Sequence, residues 1–175
     1  MSALRFVPME ARHGVEIRRQ PSQAMQLGLR ADMSAEDAAA LAGGREAWAA
    51  LEGEGLGERI VALFGIIDVF PDAHASVWAT LSDDVGAHHL AITRFARERL
   101  ALVDLPRVDA IVECADAEIV LDRFPDLDAG ELLAVLCEVP TPEMRWATTI
   151  GLKPASVLRK YGAASQTHML FERIS

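Results

Sequence analysis

Apolar positions recur along the chain with two periods, and these divide it into short elements. Residues 4–8 read as a strand, whereas 10–26 mix apolar and charged positions with no clear period, so their structure stays open. Ser34 followed by Asp37 resembles a capping box with Asp in the usual Glu or Gln position. It predicts a helix running to Leu41 or Ala42 and stopped by Gly43-Gly44. The run 45–51, which carries Trp48, predicts a second short helix that ends in the glycine-rich turn 53–57. Residues 59–69 are rich in Ile, Val and Phe, and 75–81 form another strand-like run containing Val77 and Trp78. Phe70-Pro71-Asp72-Ala73-His74 between them is turn chemistry, so the two runs predict an antiparallel hairpin.

Ser82-Asp83-Asp84 then offer N-cap side chains to a long helix over 86–103. Ile92, Phe95, Ala96, Leu100 and Val103 fall on one stripe of it. Arg94 and Glu98, four apart, predict a helix-surface pair, while Arg99 falls inside the stripe and must snorkel unless the register is shifted. Residues 108–112 predict a strand, 116–124 fit a helix, and 132–139 fit either a strand or a short helix. Thr141-Pro142-Glu143 starts a helix with proline in the first turn, running to about Ile150 and stopping at Gly151, before Pro154. Two strands, 155–161 and 168–174, close the chain. The order predicts a mixed α/β fold, a central and mostly antiparallel sheet flanked by helices, as one domain over 1–175.

Composition narrows the function classes. A chain of 175 residues can bury one sizeable core without disulfides or metals, and 51% hydrophobic residues with a mean hydropathy of +0.16 exclude a disordered tail. Seventeen Lys and Arg against 26 Asp and Glu give a net charge of −9, which sets the surface against nucleic acid. The apolar run 60–67, broken by Gly65, is too short for a bilayer, and residues 1–10 show no secretory pattern, so a soluble cytoplasmic protein with no membrane partner is expected. Cys114 and Cys137 fit neither a disulfide framework nor a paired zinc site, and their apolar settings predict inert burial. His88 and His89 point about 100° apart on a helix, so no metal site is expected. Trp48, Trp78 and Trp146 are expected as core anchors.

Three places in this order carry a resemblance. They are the hairpin 59–81 leading through Ser82-Asp83-Asp84-Val85-Gly86-Ala87 into the long helix, the helix end Met144-Arg145-Trp146-Ala147-Thr148-Thr149-Ile150-Gly151-Leu152, and the closing hairpin 155–174. Together they resemble the GNAT superfamily of N-acetyltransferases, and within it the GNAT-like proteins of tailed phages. The likeness covers about Leu29 to Ser175, with 114–140 looking like an addition.

The resemblance implies a GNAT-like fold and transfer of acetyl from acetyl-CoA to an amine. It implies that the cofactor pyrophosphate rests on the N-terminus of the long helix, with Leu81, Asp84, Val85, Gly86, Ala87 and His88 as cofactor-binding residues. Main-chain N–H groups of 79–82, on a splayed strand, would polarise the thioester carbonyl. Candidate general bases are Asp68, His74, Asp83 and His88, with Asp68 and His74 taken as the catalytic pair of choices. The chain departs from the family in three ways. Asp83 stands where the family has Gln or Arg, His88 replaces a small residue, and Ala147 occupies the position of the usual tyrosine acid. Tyr161 lies on another element, and Trp146 is no usable acid. Carboxylates beside a pyrophosphate repel it unless they turn outward, and local chemistry alone makes Asp83 or Asp84 an N-cap. These departures motivate a second reading, a catalytically degenerate GNAT-fold protein with a structural or binding role, such as a phage virion component partnered by other virion proteins in the host cytoplasm or the particle.

Overall fold

The structure, a computed structural model, describes residues 4–20, 23, 32–114 and 116–175. Its strands are β1 (Leu4–Pro8), β2 (Glu46–Glu52), β3 (Arg59–Phe70), β4 (His74–Leu81), β5 (Arg107–Glu113), β6 (Lys153–Leu158) and β7 (His168–Ile174). They form one sheet in the order β1-β2-β3-β4-β5-β7-β6, antiparallel throughout except between β4 and β5. The helices are α1 (Ala11–Glu16), α2 (Ala35–Ala42), α3 (His89–Ala101), α4 (Ala117–Arg123), α5 (Ala129–Glu138) and α6 (Pro142–Thr149), with a 3-10 turn, Gly86–His88, leading into α3. Residues 21–22 and 24–26 of the stretch left open by the sequence, and Leu29, where the likeness begins, lie outside the described residues.

Helices cover both faces of the sheet. On one, Ala62, Phe64 and Ile66 of β3 join Ile92, Ala96 and Leu100 of α3, Met144 and Ala147 of α6, and Ile150 just after α6 in the larger core. On the other, Leu63, Ala49 and Leu51 pack with Met9 and Ile17, beside α1 and α2. Strand periodicity explains the division, since alternate residues of one strand serve opposite faces.

Three elements correct the sequence reading. The run expected as a helix over 45–51 is strand β2, held between β1 and β3 and buried on both faces. A strand covered on both faces loses its polar alternation, and pairing on both edges overrides the helix propensity of alanine. The segment 132–139 belongs to helix α5, which begins earlier, at a capping box between Asp128 and Glu131 that the sequence reading passed over. The long helix starts through the 3-10 turn, and neither Asp83 nor Asp84 caps it. Instead the Ser82 hydroxyl accepts from the Asp84 N–H at 3.3 Å, and the Ser82 carbonyl accepts from the Val85 N–H at 3.3 Å.

Other expectations hold. Ser34 caps α2, accepting from the Asp37 N–H at 3.1 Å, and Thr141 caps α6, accepting from the Met144 N–H at 3.3 Å. Arg99 is accommodated within its stripe by a two-pronged pair with Glu46, at 2.9 and 2.7 Å, and lies over the Trp48 ring. The expected surface pair is not formed: Arg94 and Glu98 are exposed and make no ion pair with each other among the described residues.

Candidate functional site

The one parallel contact in the sheet is short. β4 and β5 pair only at His74 with Arg107, Ala75 with Val108 and Ser76 with Asp109, and then diverge. Each strand follows its own neighbour beyond that point. The Ser82 N–H donates back to Val61 O of β3 at 2.9 Å, while β5 stays paired with β7 from Arg107 to Glu113. Divergence opens a fork with a cavity of about 420 Å³, lined among others by Ala79 and Leu81 of β4, Ile111 and Val112 of β5, and Trp146 and Ala147 of α6.

Peptide groups along β4 alternate between its two edges. Because Ser82 faces β3, Thr80 and Trp78 do too, and the N–H and C=O groups of Val77, Ala79 and Leu81 face the fork. Among the described residues, the Val77 N–H closes the last rung, at Ser76 with Asp109, and beyond it no strand pairs with the Val77 carbonyl or with Ala79 on that edge. Leu81 differs, since its N–H donates to Gln23 Oε1 at 2.5 Å and its carbonyl accepts from the Gln20 N–H at 3.0 Å.

The turn beyond β4 leads to the start of α3. Asp83 and Asp84 are exposed and matched by arginines, Asp84 with Arg59 at 3.3 Å and Asp83 with Arg18 at 3.9 Å. Arg59 also binds Glu52, and His88 Nε2 lies 3.1 Å from Glu52 Oε1. A Cβ on Gly86 would meet nothing within 4 Å, so this glycine fronts open space. Leu81 and Val85 line the cavity, whereas Asp84, Gly86, Ala87 and His88 stand on the turn leading to it.

At the closed end of the fork, His74 Nε2 lies 2.7 Å from Asp109 Oδ2. Asp109 is 6% exposed, and Arg107 approaches the same oxygen at 3.7 Å while binding Glu172 at 3.2 Å. His74 and Asp109 share a sheet face with Ser76 and Trp78, both of which line the cavity. Asp109 escaped the sequence reading, although a carboxylate inside the apolar run 108–112 was a usable signal. Asp68 stands apart near the hairpin tip, where Arg45 holds it at 2.6 Å, and it does not line the cavity.

Trp48 and Trp146 pack against the larger core and Trp78 against the smaller, as expected of core anchors, and they also serve the cavity. Trp48, Trp78 and Trp146 are only partly buried and all line the cavity. Trp146 ties α6 to α3 by donating from Nε1 to Thr93 Oγ1 at 3.0 Å. Ala147 is buried beside them, and Tyr161 is exposed, its ring 5.5 Å from that of His168. Burial pushes the Cys114 thiol up to about 12, so it supplies no thiolate. Cys137 is exposed, contrary to the expected burial.

At the end of β5, burial holds the half-buried Glu113 carboxyl above its ordinary range, Glu143 adds to this, and His168 opposes it. A carboxyl raised on folding favours the native state at low pH and disfavours it once the unfolded chain ionises. Glu113→Gln is therefore expected to raise Tm at pH 7, with the gain vanishing below about pH 4, as read by melting curves across pH. Among the described residues no group of three or more His, Cys, Asp or Glu is arranged to hold a metal, and no helix is long and apolar enough to cross a membrane.

No protein-family model matches the chain, and no curated protein is significantly similar in sequence. Solved structures do match. An acetyltransferase of the GNAT family from Bacillus anthracis superposes with a TM-score of 0.58 at 11% identity, covering 99% of this chain and 96% of that one. Spermidine N-acetyltransferase from Vibrio cholerae, solved with CoA and spermine, gives 0.59 at 10% identity over 98% and 95%. The ribosomal-protein-S18-alanine N-acetyltransferase from Escherichia coli gives 0.58 at 12% identity over 98% and 94%. At these identities the likeness is one of fold, and the fold is that of the GNAT acetyltransferases.

Proposed function

We propose that this chain transfers an acetyl group from acetyl-CoA to an amine, with the donor's arm in the fork and the amine approaching from the face that carries His74. The observation that carries the reading is the open edge of β4, whose unpaired peptide groups lie along an apolar cavity that ends at the start of α3. Such an edge suits an extended, amide-bearing chain, as strand addition does.

The residues fit the cofactor in two respects. The Ala79 N–H and the carbonyls of Val77 and Ala79 face the fork beyond the last β4–β5 rung. Beyond them, the Gly86 and Ala87 N–H groups have no backbone partner among the described residues, and the nearby aspartates are turned to solvent and paired with arginines, which lessens their repulsion of a phosphate. When bound, acetyl-CoA supplies an activated thioester carbonyl.

The chain's own residues do the rest. The Ala79 N–H hydrogen-bonds a carbonyl oxygen as negative charge develops on it. His74, five residues back along β4 and with its ring held by Asp109, receives the proton of the amine by way of intervening water. Ala147 has no proton to give, so protonation of the departing sulfur falls to solvent. A net charge of −9 steers cationic amines toward the surface, in keeping with the spermine-bound Vibrio cholerae enzyme.

Thermal unfolding with and without acetyl-CoA tests the reading, with ATP as a control for nucleotide binding. Saturation at 100 times Kd adds about 2.7 kcal/mol, which is about 5–10 °C in a chain of this size. A shift given by acetyl-CoA and not ATP supports the enzyme. None at millimolar acetyl-CoA leaves the alternative, a GNAT fold retained without its chemistry.

A further inference from the structure

The segment after α1 runs antiparallel to the end of β4. The Asp83 N–H donates to Arg18 O at 3.2 Å, Arg19 bridges to Ser82, and the Gln20 N–H donates to Leu81 O at 3.0 Å. The Gln23 N–H donates to Gln20 O at 3.0 Å, and the Gln23 carboxamide oxygen lies 2.5 Å from the Leu81 nitrogen. Gln23 is 6% exposed, and both glutamines line the cavity. The outcome is selective. Along the fork edge of β4 beyond the last rung, the outermost residue, Leu81, is fully satisfied from within the chain, while no strand among the described residues pairs with Ala79 there.

A side-chain carboxamide on a strand's free N–H, with a main-chain N–H on its C=O, reproduces what an incoming amide would offer that peptide group. The acyl arm of acetyl-CoA carries two secondary amides, and to lie along β4 between the start of α3 and Ala79 it must pass Leu81. We propose that Gln23 and Gln20 are a built-in competitor for the donor, holding the Leu81 peptide group in the free protein and surrendering it when the donor's arm enters. The inference rests on the proposed use of acetyl-CoA. It adds that affinity is set by release of this contact as well as by the fork.

Calorimetric titration of wild type, Gln23→Ala and Gln23→Glu with CoA, and with uncharged pantetheine, tests it. Removing the competing acceptor is expected to tighten both ligands about fivefold, the equivalent of one net hydrogen bond. The carboxylate of Gln23→Glu accepts more strongly from the Leu81 N–H and is expected to weaken pantetheine, for which phosphate repulsion plays no part. Hydrogen exchange at Leu81 gives a second reading. Its amide is expected to be protected in the free wild type, exposed in free Gln23→Ala, and protected again with CoA. Equal or weaker CoA binding by Gln23→Ala, with Leu81 deprotected, overturns the competition while leaving CoA use intact. If neither ligand binds any of the three proteins, the acetyl-CoA reading itself fails and the competitor falls with it.

Discussion

His74→Gln is expected to lower kcat for acetyl transfer by about 10²–10⁴-fold while leaving acetyl-CoA affinity near that of wild type. The expectation follows from where the imidazole is held. Asp109 accepts at Nε2, which fixes the proton there and leaves Nδ1 as the acceptor for the amine proton relayed through water. Asp109 is buried on a central strand, where the His74 N–H donates to it and the Arg107 guanidinium, 3.7 Å away, balances its charge. Glutamine keeps a polar group of similar reach but accepts no proton, so the loss should fall on kcat rather than on donor binding. Asp109→Asn should lower kcat less and alter its pH profile, because the ring then loses the partner that fixes its tautomer. Steady-state rates over pH, with binding of acetyl-CoA measured separately, decide the matter. An unchanged kcat in folded His74→Gln would remove His74 from the chemistry.

Gly65→Val is expected to cost about 3 kcal/mol, the upper part of the range for overpacking. That corresponds to a fall in Tm of about 6–12 °C. Gly65 lies on β3 between Ala47 of β2 and Trp78 of β4. A Cβ there would lie 2.4 Å from Glu46 O and 2.9 Å from the Trp78 ring, and the first of these neighbours is backbone that cannot swing aside. Relief therefore requires β2 and β3 to part, or Trp78 to leave its place in the cavity wall. Gly65→Ala should cost less, about 1–3 kcal/mol, with the same direction. Calorimetric melting together with the near-ultraviolet signal of the tryptophans separates loss of stability from displacement of Trp78. A valine variant melting like wild type would refute the steric argument.

Much of the fold was legible because its signals are local. The hairpin of β3 and β4 announces itself by two β-branched runs around Pro71-Asp72, and α6 by Thr141-Pro142 before it and Gly151, at φ +108°, after it. β2 was illegible for the opposite reason. Glu46-Ala47-Trp48-Ala49-Ala50 has helix-forming composition, and only its pairing with β1 and β3, which are distant in sequence, makes it a strand. The site divides in the same way. Leu81, Val85 and Gly86 follow from the strand-to-helix junction that can be read along the chain. The partnership of His74 with Asp109 spans 35 positions, and that of Leu81 with Gln23 spans 58. No spacing rule connects residues so far apart. Asp83 and His88 looked like free groups near the helix, and arginine or glutamate neighbours on other elements engage them.

The brevity of the β4–β5 ladder also bears on mechanics. Among the described residues, three register pairs stitch a four-stranded leaf, β1 to β4, to a three-stranded leaf, β5 to β7, across the middle of the sheet. Beyond that seam the leaves are coupled through packed side chains and the helices that cross between them, which resist compression better than they resist slow opening. The sheet thus behaves as a hinge with its pin at His74–Ser76. Any molecule that bonds along β4 while touching Ile111 and Val112 becomes a splint, stiffening both leaves at once. Ligand-induced rigidity will then extend well past the contact residues, into strands that never meet the ligand.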